Sequence, residues 1–310
     1  MLFLIPLFRL HLLDSPNFRS SHSQPTPRGG GVVFVFVSCV ASAFSLFLGD
    51  LSLGSYLPLL ALPLGLVGFM DDLFNLPASL RYLAQLLTAI FGLLVSPLSQ
   101  KLLPPFVDFS LLTIFIAFLL IVYITSVINF VNFMDGMDGL VAGCLVLSIT
   151  VCVIKLGSPF PTWSLVGALV GFLIWNWSPS KIFMGDVGST FLGAFFSIIV
   201  LQASSWSDAL SLLLVSTPLL CDAFFCVVRR YYAKQNVFQA HRLHLFQRLH
   251  QAGFSHERVA SIYIFGTTVL AISLLFGGIC WLIVFAIIEL FIGIYLDKKV
   301  AIPFSVSTSR

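Results

Sequence analysis

The sequence predicts an all-α, polytopic integral membrane protein, a single bundle of about ten to eleven transmembrane helices over residues 1–310. Of the 310 residues, 58% are hydrophobic and only 9% are charged, whereas a soluble domain is about 25% charged. A water-soluble fold could not hide this much apolar surface, and helices satisfy their own backbone groups in lipid. The net charge of +3 gives no indication of a nucleic-acid partner.

Eleven apolar segments are the candidate spans, judged against the roughly 20 residues that a helix needs to cross a bilayer. The first segment lacks the basic start and small-residue cleavage site of a signal peptide. We therefore interpret it as a span whose completeness the sequence leaves open. The approximate segments are residues 2–13, 31–48, 56–70, 80–96, 106–128, 139–156, 162–177, 187–206, 209–228, 259–276 and 279–296.

The distribution of Lys and Arg predicts the orientation of these spans. If the loop after the first span lies in the cytoplasm, 13 cations fall on that side and only Lys101 and Lys155 on the other. Cytoplasmic loops carry such an excess in membrane proteins. The 13 are Arg19, Arg28, Arg81, Lys181, Arg229, Arg230, Lys234, Arg242, Arg248, Arg258, Lys298, Lys299 and Arg310.

The six cysteines all lie in apolar stretches and show no C-x-x-C spacing. This pattern indicates neither a disulfide framework nor a zinc site, and it predicts buried small side chains. They are Cys39, Cys144, Cys152, Cys221, Cys226 and Cys280.

The loop before the second span, Pro25-Thr-Pro-Arg28-Gly-Gly-Gly31, is a candidate anion site. Glycines let backbone N–H groups approach an anion, and a helix N-terminus favours negative charge. Arg28 could add a bidentate phosphate contact. The simpler alternative is a Pro/Gly turn with one orienting Arg.

Two adjacent carboxylates, Asp71 and Asp72, end the third span. Such a pair can bind a divalent cation, or one carboxylate can act as a base while the other stays ionised. The alternative is a hydrated helix end. An acidic pair at a helix C-terminus opposes the helix dipole, which argues against a purely structural role.

Residues 129–139, after the fifth span, are the segment richest in polar groups. Its polar side chains recur at every third position: Asn129, Asn132, Asp135 and Asp138. In a helix this spacing drifts slowly around one face, so we expect the amides and carboxylates to converge. Their oxygens suit Mg²⁺, and an Asn can also read a base edge. Gly136 and Gly139 allow the helix to break here.

Asp186 begins the eighth span, within the string Gly185–Thr190. N-capping of the helix is the simple explanation for this residue, but it does not account for the whole string. Trp175 and Trp177, just before it, indicate an interfacial belt.

The last large cytoplasmic loop contains His241, Arg242 and His244, which can hold a phosphate group. A solvated amphipathic loop explains this spacing equally well. We expect His250 and His256 at the surface.

Two further acids lie within predicted spans, and each has a simple interpretation. Asp222 is expected to form an ion pair with Arg229 or Arg230, two helical turns later. Glu289, inside the last span, is expected to make a helix–helix hydrogen bond.

Over nearly its whole length the chain resembles the polyprenyl-phosphate N-acetylhexosamine-1-phosphate transferases, glycosyltransferase family 4. The motifs that carry the resemblance, in order, are Pro25-Thr-Pro-Arg-Gly-Gly, Asp71-Asp72, Asn129–Gly139, Phe183-Met-Gly-Asp-Val-Gly-Ser189 and His241–His244. The resemblance implies transfer of a sugar-1-phosphate from a UDP-linked N-acetyl sugar to polyprenyl (undecaprenyl) phosphate, with release of UMP and a need for Mg²⁺. It also implies a bacterial inner (plasma) membrane, with the active site facing the cytoplasm.

The resemblance also assigns roles by position. It implies that Asp186 is a catalytic metal ligand with Asn132 beside it, and that Asp71 and Asp72 support lipid-phosphate activation or metal binding. The nucleotide pocket would be lined by Asp135 and Asp138, and by Asn129 as a substrate contact. His241, Arg242 and His244 would contact phosphate.

The histidine loop departs from the family pattern, which often reads H-x-H-H, because Leu243 replaces the middle histidine. This loop is more similar to that of O-antigen initiators than to that of the lipid I synthase, which remains the alternative. UDP-GlcNAc, UDP-GalNAc, UDP-FucNAc and UDP-QuiNAc stay open as donors. Polyprenol length and a homodimer also stay open.

Two rival classes make different predictions. An ion-coupled transporter would place acids near span centres and show inverted repeats, whereas a non-catalytic scaffold would lack acids such as Asp72 or Asp186. For the transfer itself we favour direct attack by the lipid phosphate over a covalent aspartyl intermediate, because the sequence shows no device that activates a nucleophile.

Overall fold

The computed structural model describes residues 4–14, 25–102, 111–236 and 241–307, and 79% of these residues are helical. In the described ranges the strands are β1 (Leu13–Asp14) and β2 (Thr26–Pro27), paired antiparallel. The helices are α1 Leu4–His11, α2 Val32–Phe47, α3 Leu53–Phe74, α4 Ala78–Val95, α5 Pro97–Leu102, α6 Leu111–Met134, α7 Leu140–Leu156, α8 Phe160–Asn176, α9 Asp186–Val200, α10 Trp206–Leu214, α11 Thr217–Tyr232, α12 Leu245–Gln251, α13 His256–Ile272, α14 Gly278–Lys299 and α15 Phe304–Ser307.

Within the described residues, the segments long and apolar enough to cross a membrane are α3, α4, α6 and the stretch His256–Lys299, and the bent pair α10 and α11 meets the same criterion when taken together. Their outward faces carry exposed large apolar side chains, for example Phe118 and Phe291, as expected of helices that contact lipid. The predicted all-α, polytopic class is confirmed. The first predicted span contains only the eight residues of α1 in the described part, about 12 Å of helix.

The stretch His256–Lys299 is a helical hairpin. A π-helical turn, Ser273–Gly277, leads to Gly278, whose φ of +75° lies in the region that glycine adopts readily. The chain then reverses direction. This is seen from the Glu289 carboxylate of α14, which lies against Gly266 of α13. The two last predicted spans are therefore separate helices. Glu289 packs against the neighbouring helix α13 at Gly266, and its predicted hydrogen bond to another helix stays a prediction.

The ninth predicted span is two helices rather than one. α10 and α11 meet at an angle of 85°. Pro218 lies in the first turn of α11, where its missing N–H and fixed φ suit the start of a helix but not the interior of a continuous one. This break turns α11 toward the loop that contains the two predicted site histidines.

The centre of the bundle is built from shorter helices. α2, α7, α8 and α9 have only 15 to 17 residues, and in α9 every residue from Val187 to Val200 is buried. At about 1.5 Å per residue such helices are shorter than the hydrocarbon layer. The first residue of α9, Asp186, lines a recess beside the ends of α3 and α6.

Candidate active site

Six of the residues predicted from the sequence line one cleft of about 330 Å³. The cleft lies where α3 and α6 end and α9 begins, and the loop before α12 closes one side of it. The six residues are Asp71, Asn129, Asn132, Asp186, His241 and His244. The structure therefore brings together motifs that are far apart in the chain.

A glycine sets the distance between α3 and α9. A Cβ atom on Gly68 would lie 2.4 Å from the carbonyl oxygen of Asp186, which is closer than real Cβ contacts. Only a residue without a side chain lets the two backbones approach this far. The carboxylates of Asp71 and Asp186, near the ends of these helices, are consequently brought face to face.

Arg81, at the start of α4, joins the two facing carboxylates. Its Nη1 atom lies 2.9 Å from Asp71 Oδ2 and 3.9 Å from Asp186 Oδ2. Asp71 Oδ1 also accepts the backbone N–H of Leu76 at 2.7 Å. The carboxylate of Asp186 faces that of Asp71 within hydrogen-bonding reach, a contact that repels unless a proton or a cation lies between the two groups.

Asp72 is buried, with 4% of its surface exposed, and fastens the start of α9. Its Oδ2 atom accepts the N–H of Val187 at 3.2 Å. Arg28 donates from Nη2 to the Asp72 carbonyl oxygen at 2.5 Å and places Nε 3.7 Å from Oδ1. Asp72 thus caps α9 from outside, while the N-cap position itself is Gly185, with a φ of +75°.

The two asparagines at the end of α6 are held by neighbouring polar groups. Asn132 Oδ1 accepts the hydroxyl of Ser189 at 2.6 Å. Asn129 and Gln85 exchange amide hydrogen bonds of 2.8 and 3.3 Å. Both asparagines face the cleft, so their amides are oriented before any substrate binds.

Asp135 and Asp138 do not share a helical face with the asparagines, because α6 ends at Met134 and Gly139 turns the chain with a φ of +72°. Asp135 stays near the other acids: burial, with the Asp72 and Asp138 carboxylates, raises its pKa to about 7. Neither residue is among the described residues that line the cleft.

Asp138 turns away from the cleft and binds two other side chains. Its Oδ1 accepts the hydroxyl of Ser180 at 2.9 Å, and its Oδ2 lies 3.2 Å from His256 Nδ1. Burial works to raise the pKa of Asp138, but His256 and Ser180 together hold it below its ordinary value. The expectation that His256 lies at the surface is wrong, because its side chain is only 11% exposed.

The histidine loop is positioned by Asp222 of α11. The Asp222 carboxylate accepts the N–H of Leu245 at 2.7 Å, the N–H of Phe246 at 3.0 Å and the hydroxyl of Tyr263 at 2.8 Å. The N–H groups of Leu245 and Phe246 are the first backbone donors of α12, and a helix N-terminus favours a carboxylate. The predicted ion pair with Arg229 or Arg230 is wrong, since Arg229 binds Asp297 and Arg230 binds Asn236.

His241 and His244 stand side by side, with ring centroids 4.9 Å apart. Burial, with the neighbouring His244 and Arg230, lowers the pKa of His241 to about 3, so its imidazole is neutral. Leu243 lines a separate apolar crevice between α11, α13 and α14, and Arg242 is not among the described residues that line the cleft.

The residues present fit a Mg²⁺ ion. Asp71 and Asp186 oppose each other, Asn132 adds an amide oxygen beside them, and the guanidinium of Arg81 is partly exposed. Hard oxygen donors with an excess of negative charge are the environment that Mg²⁺ prefers. Asp186 and Asn132, with Asp71, are the residues that would hold it.

Sequence reasoning gave no site role to several cleft residues or to the residue that positions the histidine loop. Arg81, Gln85 and Gln247 line the cleft, but none of them belongs to a recognisable motif. A functional role for Asp222 could have been predicted from the sequence, because an acid within an apolar span is functional by default.

The chain is similar in sequence to a known protein family and to several named relatives. The sequence profile of glycosyl transferase family 4 matches residues 54–204, from α3 to just beyond α9. The chain is 30% identical, over 94% of its length and 85% of the relative's, to a Bacillus subtilis protein named "Probable undecaprenyl-phosphate N-acetylglucosaminyl 1-phosphate transferase".

Two further relatives carry related names. A Thermotoga maritima undecaprenyl-phosphate alpha-N-acetylglucosaminyl 1-phosphate transferase is 27% identical over 77% of this chain and 74% of its own. A Listeria monocytogenes phospho-N-acetylmuramoyl-pentapeptide-transferase is 28% identical over 76% of this chain and 78% of its own.

Proposed function

Because this chain belongs to glycosyl transferase family 4, we propose that it transfers N-acetylhexosamine-1-phosphate from a UDP-sugar to undecaprenyl phosphate and releases UMP. The observation that carries the proposal is the cleft in which Asp71, Arg81 and Asp186 meet His241 and His244. An exterior of exposed apolar helices suits a lipid acceptor, and the polar recess suits a soluble, charged donor.

In this proposal Mg²⁺, when bound, neutralises charge on the donor diphosphate. Asp186 and Asn132 would hold the ion, with Asp71 beside them. His241 and His244 donate hydrogen bonds to phosphate oxygens, and Arg81 adds a guanidinium. Phosphoryl transfer needs this kind of positioning and charge stabilisation more than covalent chemistry.

An oxygen of the lipid phosphate attacks the donor's β-phosphorus directly, and the bond from that phosphorus to the UMP oxygen breaks. The lipid phosphate is already ionised, so no general base is required. Asp72 acts indirectly, as a positioning residue, because its carboxylate is buried and holds the N-terminus of α9. A covalent aspartyl intermediate would need an activated nucleophile.

The proposed setting is a bacterial inner membrane, with the cleft facing the cytoplasm. The support is the excess of Lys and Arg on the loops of that side and the soluble donor, which is made in the cytoplasm. The proposed pathway is initiation of a cell-envelope polysaccharide such as O-antigen. Lipid I synthesis is the second candidate, and the Listeria relative favours it.

UMP release from the purified protein tests the proposal. The reaction contains undecaprenyl phosphate, Mg²⁺ and one donor from a panel of UDP-GlcNAc, UDP-GalNAc, UDP-FucNAc, UDP-QuiNAc and UDP-MurNAc-pentapeptide. We expect release that requires both lipid and metal, with one of the four sugars. Release with the pentapeptide donor alone would favour lipid I synthesis, and no release from folded protein would favour a non-catalytic scaffold.

A further inference from the structure

Cys226, His241 and His244 form a cluster that the transfer reaction does not require as a unit. Cys226 lies on α11, and the histidines lie in the loop before α12. One nitrogen or sulfur atom from each side chain lies within 4.8 Å of those of the other two. Cys226 and His244 are 4% and 2% exposed, and His241 is partly exposed at the cleft.

A buried nitrogen in this cluster has no hydrogen-bond partner. His244 Nδ1 is inaccessible and makes no hydrogen bond within the described part of the chain. Such an atom is unfavourable unless something compensates it. Asp222 Oδ1 lies 3.7 Å away, too far for a hydrogen bond but close enough to stabilise a cation held by the cluster.

We propose that Cys226, His241 and His244 bind a thiophilic divalent metal ion such as Zn²⁺, at a site separate from the acidic one. A thiolate and two imidazoles are ligands that Zn²⁺ prefers, whereas Mg²⁺ prefers oxygens. On binding, the Cys226 thiol gives its proton to solvent, and the sulfur and the two ring nitrogens each donate a lone pair. Three protein ligands leave a fourth coordination position.

The geometry is close to what the ion needs. With Zn–N bonds of about 2.0–2.1 Å and a Zn–S bond of about 2.3 Å, one sulfur and two nitrogens in a tetrahedral site lie about 3.3–3.6 Å apart. The observed limit of 4.8 Å requires the side chains to close by about an ångström. The sequence gives no sign of this site, because the cysteine and the histidines are not near neighbours in the chain.

Metal at this site would change the cleft. His241 and His244 also line the cleft, so ligation removes both imidazoles from the phosphate contacts. We expect Zn²⁺ to inhibit the enzyme at this site. That consequence rests on the proposed function, whereas binding of the metal does not.

Cobalt substitution tests the binding. The purified full-length protein is stripped of metal and titrated with Co²⁺, whose bond to a thiolate produces an ultraviolet charge-transfer band. The wild type and a Cys221→Ala control, altered on the same helix, should bind Co²⁺ with this band. Cys226→Ala and Cys226→Ser should lose the band, and Zn²⁺ should bind them at least tenfold more weakly. A band that persists without Cys226, or one missing from the wild type, would overturn the proposal.

Inhibition gives an independent readout. Cys226→Ala should release UMP at the wild-type rate with Mg²⁺ alone, which also establishes that it is folded, and should resist Zn²⁺ concentrations that inhibit the wild type. Equal inhibition of both proteins would contradict the proposed effect on the cleft. If the wild type released no UMP, the proposed function would fail while the Co²⁺ result would still decide the metal site.

Discussion

Two buried acids near the cleft hold the protein's own backbone in place. Asp72 binds the first turn of α9, and Asp222 binds the first turn of α12. Each places a catalytic candidate, Asp186 in one case and His244 in the other. The Asp71-Asp72 motif could be recognised from the sequence. The different roles of its two carboxylates could not, because they depend on which helix end each carboxylate meets.

Asp222 gives the clearest residue-scale prediction. Asp222→Asn replaces one carboxylate oxygen by an N–H₂ group, so one of its three donors loses its acceptor and the α12 loop loosens. We expect turnover to fall about tenfold, which corresponds to about 1.4 kcal/mol. The measurement is steady-state UMP release.

Asp50→Asn is the control for this prediction, because Asp50 also accepts a backbone N–H and serine hydroxyls, but in an exposed loop between α2 and α3. It should retain the wild-type rate. A wild-type rate in Asp222→Asn would show that the loop does not depend on this carboxylate.

Asp135 predicts a pH dependence of stability. Its pKa is about 7 in the folded protein and 3.8 in the unfolded chain, so between these values the folded state retains a proton that the unfolded state has lost. Stability from this group is therefore greatest at low pH, declines as the pH rises from about 4 to 7, and then stays constant.

The variant Asp135→Asn cannot lose this proton. Without added metal, its Tm in detergent should exceed that of the wild type by a few degrees more at pH 8 than at pH 5. The same Tm difference at both pH values would show that the Asp135 carboxyl titrates normally.

At the scale of elements, the spacing of α3 and α9 decides the geometry of the cleft. A methyl group on Gly68 would meet the backbone of Asp186 at 2.4 Å, whereas one on Gly171 of α8 would meet nothing within 4 Å. Gly68→Ala should destabilise the protein by about 1–3 kcal/mol and lower turnover, because it separates Asp71 from Asp186.

Gly171→Ala should be neutral or slightly stabilising, and comparison of Tm and UMP release separates the two variants. Normal activity in Gly68→Ala would mean that the distance between α3 and α9 has little effect.

Hydropathy located most helices but not their interruptions. The ends of α3 and α6 could be read from acids and glycines after apolar runs. The bend between α10 and α11 could not, because the stretch remains apolar enough to pass as one span despite Ser216 and Pro218. The loss of Asp138 from the predicted face has the same kind of cause: a repeat of three converges only while the helix continues, and α6 stops at Met134.

At the scale of the whole molecule, six predicted site residues meet in one cleft, while the partners that hold them were largely missed. Carboxylates and histidines are informative in so apolar a chain because each is costly to bury. Arg81 was counted only as an orienting charge, and nothing in its local sequence indicates that it lies 2.9 Å from Asp71. Such long-range pairs follow from helix packing, which a sequence motif does not encode.

The proposed orientation can be measured directly. Asp208 and Lys234 are both exposed. Lys234 is predicted to lie on the cytoplasmic side, and Asp208, between the eighth and ninth predicted spans, on the opposite side. In a variant without native cysteines, Asp208→Cys should react with a membrane-impermeant maleimide in intact cells, and Lys234→Cys should react only after lysis. The reverse pattern would place the cleft outside the cytoplasm.

The central claim is that Asp186 lies where the sugar phosphate is transferred, and one comparison tests it most directly. UMP release is measured for the wild type, Asp186→Asn and the exposed control Asp208→Asn, each with undecaprenyl phosphate, Mg²⁺ and the preferred donor. We expect lipid-dependent release by the wild type and the control, and a loss of about 100-fold or more in Asp186→Asn. A wild-type rate in Asp186→Asn would contradict the central claim.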